Sequence, residues 1–125
     1  MIDTKEKEID QTIQNLTKYI KQHLTEELTL DQLAKDSGYS KFHLIRKFRD
    51  EMGMTIHKYV QNERLKYAAK QLRYTNKSIV EIAYDAHYQS QTAFTYAFKQ
   101  IYFYTPMIYR ERITKENRYE KRMVA

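Results

Sequence analysis

The segment GYSKFHLIRKFRDEMG occupies residues 38–53 and has the pattern of a capped amphipathic helix with a glycine at each end. Ser40 is a suitable N-cap because its side-chain oxygen can accept a hydrogen bond from a free amide of the first helical turn. Leu44, Phe48 and Met52 follow at intervals of four residues, which predicts that they face a hydrophobic core. A glycine suits the left-handed backbone of a tight turn or a helix end. The segment therefore predicts a tight turn followed by one helix that stops at the second glycine.

The pattern around this segment occurs twice in the chain. A short apolar pattern begins after Thr29, and a similar pattern begins after Ser78, which lies 49 residues later. Gln89 acts as a one-residue insertion, so the offset between equivalent residues is 50 from there on. Each copy predicts a short helix, a tight turn and a capped longer helix, which is the arrangement of a helix-turn-helix. Ten pairs of positions match: Thr29/Ser78, Leu30/Ile79, Leu33/Ile82, Ala34/Ala83, Asp36/Asp85, Tyr39/Tyr88, Ser40/Ser90, Leu44/Phe94, Phe48/Phe98 and Thr55/Thr105.

Helical patterns also precede, join and follow the two copies. A longer apolar pattern from about Ile56 to Arg73 predicts one helix between them. Thr105 and Pro106 are expected to break the last long helix, and a short helical turn is expected through Tyr109. An amphipathic first helix is predicted by the stripe Ile9, Ile13, Leu16, Ile20 and Leu24, and the inward residues of the last long helix are predicted to be Phe94, Phe98 and Ile101.

These patterns predict an all-α fold in which two helix-turn-helix subdomains are joined by a long central helix. Six to seven helices are expected in total. The expected segments are residues 1–54 for the N-terminal helix and first helix-turn-helix, 55–74 for the linker helix, 75–112 for the second helix-turn-helix and 113–125 for a charged tail that frays.

The charge of the chain is unevenly distributed. The chain has 22 Lys and Arg residues against 16 Asp and Glu residues, which gives a formal net charge of +6. Residues 1–36 carry five basic and eight acidic groups, whereas residues 37–125 carry 17 basic and eight acidic groups. A basic excess on one part of a small protein indicates a polyanionic partner, first nucleic acid and second an anionic membrane surface. A solvated surface without a partner explains the charge equally well.

Composition excludes several kinds of site. Two glycines 15 residues apart cannot build a Gly-rich phosphate loop, and the absence of cysteine excludes disulfides and Cys-based zinc sites. No apolar run is long enough to span a membrane. The four histidines lie on different segments without metal-ligand spacing, and no paired carboxylates indicate acid–base catalysis. We therefore predict no enzyme activity, no cofactor and no metal, and a location in the cytoplasm.

The longer helix of each copy is the one that would enter a DNA groove, and we call it a recognition helix. The first recognition helix begins after Ser40, and its predicted outward face has side chains that can bind DNA bases and phosphates. Arg46 can bond to guanine O6 and N7, and Phe42 and Ile45 can press on thymine methyl groups. Lys41, Lys47 and Arg49 are predicted to contact phosphates. The alternative is that Phe42 and Ile45 pack against a neighbouring helix.

The second recognition helix is predicted to be a weaker contributor. Gln91 can pair with adenine, Thr95 suits a base edge or a thymine methyl group, and Thr92 and Tyr96 complete the base-facing set. Lys99 is the one predicted phosphate contact on this helix. A central helix of about 18 residues spans about 27 Å, which is close to the ~34 Å of one DNA turn. A monomer is therefore predicted to place two recognition helices in successive major grooves of an asymmetric site.

The chain resembles the AraC/XylS family of transcription regulators over about residues 9 to 112. The first resemblance lies in residues 38–44 followed by Arg46, Phe48 and Gly53, and the second in residues 90–110, which end in the family's T-P-x-x-Y-R pattern. The resemblance implies a stand-alone activator that binds double-stranded DNA as a monomer and recruits RNA polymerase. It also implies that residues 42, 45, 46, 91, 92, 95 and 96 approach bases.

Two departures from the family concern backbone conformation. The family usually has glycine where this chain has His87 and Phe103, and if these backbones keep a positive φ, each non-glycine residue costs about 1 kcal/mol. On the second recognition helix, this chain has Tyr96 where the family usually has an arginine. The alternative function is that of a helical adaptor, which would bind a protein partner through its many tyrosines. Binding to a membrane surface is disfavoured, because no predicted helix has one basic face and one broad apolar face.

Overall fold

The computed structural model describes the backbone of residues 9–124 and the side chains of residues 9–116. The described residues form seven α-helices and no β-strand, which confirms the predicted all-α fold. No helix among them combines the length and the apolar character needed to cross a bilayer. The helices are α1 (Gln11–Gln22), α2 (Leu30–Ser37), α3 (Lys41–Met52), α4 (Ile56–Tyr74), α5 (Ile79–Asp85), α6 (Gln91–Tyr102) and α7 (Pro106–Val124).

The chain divides into two compact units, residues 1–62 and residues 63–125, and the boundary falls inside α4. In the first unit α1, α2 and α3 pack on one another. Phe48 is fully buried, and its ring meets the ring of Tyr59 edge-on with centroids 5.5 Å apart. The start of α4 thus closes the core behind α3. Other buried members are Ile13, Leu16, Ile20, Leu33, Ala34, Leu44 and Ile56.

The second unit has its own aromatic core. Phe98 is fully buried and contacts Phe94, Tyr102 and Tyr109, with ring centroids 5.7, 4.5 and 5.3 Å away. The second half of α4 supplies the aliphatic part of this core. The remaining buried members are Leu65, Ala68, Ala69, Leu72, Ile82, Ala83 and Ala86.

The helix starts confirm the internal repeat. Thr29 and Ser78 accept hydrogen bonds from backbone amides three residues ahead, at 3.2 and 3.1 Å, at the starts of α2 and α5. Ser40 and Ser90 do the same at the starts of α3 and α6, both at 3.1 Å. Equivalent helices therefore begin at equivalent residues because the same type of cap satisfies the same free amide.

The turns at both departures from the family have a positive φ. Gly38 has a φ of +77°, and its equivalent His87 has a φ of +65°. Gly53 and its equivalent Phe103 have φ values of +72° and +68°. The repeat therefore keeps the left-handed backbone, although the second copy holds side chains that make this conformation costly.

Replacing Phe103 by glycine is expected to stabilise the protein by about 1 kcal/mol, because the left-handed backbone is strained for every residue with a Cβ. The side chain is 80% exposed, so its removal sacrifices little burial. The matched control is Gly53→Ala, which should cost a similar amount, since an added Cβ would meet nothing within 4 Å and only the backbone is strained. Urea unfolding measures both. A Phe103→Gly variant of lower stability would show that the phenyl ring packs usefully.

Four sequence predictions are wrong in detail. Ile9 lies before α1 and is exposed, and Ile101 is exposed on α6 instead of facing the core. The short turn predicted through Tyr109 is a 19-residue helix, and residues 113–124, predicted to fray, continue it. The side chains of residues 117–125 and all of residues 1–8 lie outside the described part of the chain, so the ends of the predicted first and last segments stay predictions.

Candidate nucleic-acid interface

Helix α3 is held by contacts at its start and along its inner face. The side-chain oxygen of Ser40 accepts a hydrogen bond from the amide of His43 at 3.1 Å. The His43 ring stacks on Tyr39 with centroids 4.4 Å apart. Leu44 and Phe48 are fully buried. These contacts orient the opposite face of α3 toward solvent.

The outward face of α3 carries the three predicted base-facing residues. Phe42 is 75% exposed and Ile45 is 39% exposed. The exposure of Phe42 counts against the alternative that it packs on a neighbouring helix, whereas Ile45 is partly covered. Arg46 is exposed, and within the described residues its guanidinium has no ion pair or side-chain hydrogen bond. An unpaired guanidinium on the same face as two exposed apolar side chains is suited to contact a guanine that lies next to a thymine methyl group.

The predicted phosphate contacts on α3 differ in their surroundings. Arg49 is exposed and has no ion pair within the described residues. Lys41 is exposed and paired with Asp31 of α2. Both cations are accessible to a phosphate, but Lys41 must exchange a carboxylate partner for it.

Lys47 is the most constrained of the three. Its ammonium lies 3.2 Å from Glu51 and 3.8 Å from Asp10, the residue that caps α1. The hydrogen bond to Glu51 raises the pKa of Lys47 above its usual value. The structure thus gives Lys47 a role in joining α3 to the start of α1, and its contact with a phosphate stays a prediction.

The Lys41–Asp31 pair leads to a test of the electrostatics. Replacing Asp31 by asparagine should raise affinity for DNA about two- to threefold and steepen the salt dependence, because it frees the Lys41 ammonium. The pair is largely exposed, so stability should change little. Asp36→Asn is the matched control: it makes the same charge change on the same helix, where the Asp36 carboxylate accepts a hydrogen bond from Gln32. Affinity is measured by anisotropy titration. If both variants gain the same affinity for DNA, the change in net charge explains the gain and the release of Lys41 does not.

Helix α6 is positioned in the same way as α3. Ser90 accepts a hydrogen bond from the amide of Ala93 at 3.1 Å, and Phe94 and Phe98 are fully buried. Among the predicted site residues of this helix, Thr95 is half-buried and the others are exposed, namely Gln91, Thr92, Tyr96 and Lys99. The two outward faces have equivalent positions but different chemistry.

Equivalent positions show how different the faces are. Tyr96, which is 69% exposed, stands where α3 has Arg46. The pairs Lys41/Gln91, Phe42/Thr92 and Ile45/Thr95 likewise replace a charged or apolar group by a neutral polar one, and Arg49/Lys99 is the one pair that keeps its charge. The surface of α6 is therefore nearly neutral, as predicted, whereas that of α3 is cationic.

Two supporting residues were missed by the sequence analysis. Asp31 pairs with Lys41, and no sequence pattern revealed this contact between two helices. Arg110 donates to the carbonyl of Leu72 at 3.0 Å and to that of Thr75 at 3.3 Å, which satisfies backbone groups at the end of α4. Its signal was present, because Arg110 ends the T-P-x-x-Y-R pattern.

Comparison with known proteins agrees with this geometry. Residues 33–112 match the family described as "Helix-turn-helix domain". The chain is 41% identical over 103 residues to regulatory protein SoxS of Salmonella typhimurium, which covers 82% of this chain and 96% of that protein. It is 41% identical over 98 residues to the right origin-binding protein of Escherichia coli, which covers 78% of this chain and 34% of that protein.

A solved structure has the same fold. It is a transcriptional regulator from Chromobacterium violaceum, described as an AraC-type DNA-binding domain-containing protein. Its TM-score is 0.77 with 26% identity, and the match covers 82% of this chain and 91% of that one. With two capped helix-turn-helix copies and these relatives, the chain belongs to the AraC family of helix-turn-helix transcription regulators.

Proposed function

We propose that the protein binds a specific, asymmetric DNA site with α3 and α6 as its two recognition helices. The observation that carries the proposal is the outward face of α3. Phe42, Ile45 and Arg46 point away from a fully buried inner face, although two of them are apolar and gain nothing from water. A duplex is the partner that explains this combination, because its major groove offers guanine acceptors next to thymine methyl groups.

The first recognition helix is proposed to supply most of the electrostatic affinity. Arg46 bonds to a guanine, and Phe42 and Ile45 contact thymine methyl groups. Arg49 and Lys41 contact phosphates on either side of the groove, and Lys47 is a third candidate once it leaves its carboxylates. Each phosphate that is neutralised releases counterions, so this helix should dominate the salt dependence.

The second recognition helix is proposed to supply sequence preference with little charge. Gln91 pairs with adenine, and Thr92 and Thr95 contact base edges or methyl groups. Tyr96 offers a ring and a hydroxyl where α3 offers a guanidinium. Lys99 provides the phosphate contact of this helix.

A single chain is proposed to occupy two successive major grooves. The continuous helix α4 has 19 residues, which corresponds to about 28 Å at the rise of an α-helix. That length is compatible with the ~34 Å between successive grooves on one face of DNA. Because one chain carries two reading helices, a symmetric dimer is unnecessary, and binding as a monomer follows.

We propose that the bound protein activates transcription. Activation of transcription in the cytoplasm, with RNA polymerase as a protein partner, rests on the resemblance to stand-alone activators of the family. The alternative of a helical adaptor makes no use of the unpaired Arg46.

Selection of DNA from a mixed pool of promoter-region fragments at two salt concentrations tests the proposal. We expect one enriched asymmetric motif and a steep loss of affinity with salt. Size measurement of the complex should give one chain per duplex. Enrichment of no motif would refute sequence-specific binding and favour an adaptor.

A further inference from the structure

Helix α7 leaves α6 in the same way that α4 leaves α3. The turns before them share a left-handed residue, with φ values of +72° at Gly53 and +68° at Phe103. Thr55 and Thr105 then accept hydrogen bonds from amides three residues ahead, at 3.1 and 3.3 Å. The two exits therefore have the same backbone path.

The packing after these turns is also the same. Tyr59 of α4 meets Phe48 edge-on at 5.5 Å and 70°, and Tyr109 of α7 meets Phe98 edge-on at 5.3 Å and 77°. Both α4 and α7 have 19 residues. The start of α7 thus repeats the start of α4, because each packs on its own recognition helix through an edge-on aromatic pair.

The distal parts of the two helices differ in chemistry. In α4, Leu65, Ala68 and Leu72 are buried in the core of the second unit. The positions 50 residues later hold Lys115, Arg118 and Arg122. Residues 113–124, which we call the α7 extension, contain four basic and two acidic groups and lie beyond the family match that ends at residue 112. The sequence of this extension lacks the apolar stripe that would hold a third helix-turn-helix.

We infer that the α7 extension binds backbone phosphates of the duplex beyond the groove read by α6. This inference rests on the proposed function. If α4 carries the chain from one groove to the next, a helix that leaves α6 through the same turn, cap and aromatic contact is expected to continue along the same duplex. The 12 residues of the extension add about 18 Å, or about half a turn of DNA. Lys115 is exposed at the start of this segment, and lysine and arginine are the side chains that neutralise phosphates.

The test uses the full chain and two duplexes that contain the selected site. The short duplex ends at the outer edge of the groove read by α6, and the long duplex continues for about ten further base pairs. We expect the chain to bind the long duplex about tenfold more tightly at low salt, with a slope of log affinity against log salt that is steeper by about two. The variant Lys115→Ala/Arg118→Ala/Arg122→Ala should bind both duplexes equally.

The matched control is Glu116→Ala/Glu120→Ala, which changes two acids of the same segment and should keep the preference for the long duplex. Unchanged helix content in both variants, measured by circular dichroism, shows that α7 still forms. Equal binding of the two duplexes by the unmodified chain, or a triple variant that still prefers the long one, would overturn the inference and leave the proposed function intact. Failure to select any site would overturn both.

Discussion

Replacing Arg46 by alanine is expected to lower affinity for the selected site about 10- to 100-fold, because a bidentate contact with guanine is worth about 1–3 kcal/mol. The guanidinium is exposed and has no partner in the described part of the chain, so its removal should leave stability unchanged. Anisotropy titrations on the selected duplex and on a scrambled duplex measure the effect. The selected duplex should lose far more affinity than the scrambled one.

Two control variants separate base reading from charge. Arg49→Ala removes the same group from the same helix, and Lys99→Ala removes a cation from α6. Each should weaken binding to both duplexes alike and reduce the salt slope by about one. If Arg46→Ala and Lys99→Ala cause equal losses of affinity and slope, the proposed asymmetry between the two recognition helices is wrong.

Replacing Phe98 by alanine is expected to destabilise the protein by about 3–5 kcal/mol, because the cavity would lie at the centre of an aromatic core. The Phe98 ring contacts Phe94, Tyr102 and Tyr109. Hydrogen exchange should show that protection falls mainly in α5, α6 and α7, since the first unit has a core of its own. Urea unfolding gives the total loss of stability.

Phe42→Ala is the matched control for this substitution. The same side chain is removed, but Phe42 is 75% exposed. Stability should change by less than about 0.5 kcal/mol, whereas affinity for the selected duplex should fall. A large loss of stability would instead mean that Phe42 packs against a neighbouring helix, which is the alternative that the sequence left open.

The repeat explains why so much of the fold was predictable. Caps and buried positions recur at offsets of 49 and 50, and in the structure the positive φ values of His87 and Phe103 match those of their glycine equivalents. The length of α7 differs from the prediction because a mostly charged segment is expected to fray. Residues 113–124 contain no glycine or proline, and this composition favours a helix.

The candidate site was less predictable than the fold. Outward positions on α3 and α6 follow from helical periodicity, which places Phe42 and Arg46 opposite Leu44 and Phe48. Periodicity does not predict the acidic partners of Lys41 and Lys47. Asp31 lies on another helix and Asp10 caps one, so their distances from the lysines depend on how the helices pack. Periodicity therefore identifies which residues can meet DNA, and the structure shows which of them already hold a carboxylate.

The left-handed backbone at His87 and Phe103 has a consequence for the lifetime of the protein. Both strained residues lie in the second unit, whereas the equivalent positions of the first unit are glycines. Strain of this kind raises the population of molecules in which that unit alone has opened. Proteases cleave opened chains, and small changes in stability alter abundance several-fold. Degradation is therefore expected to begin in the second unit, which carries the proposed second recognition helix α6.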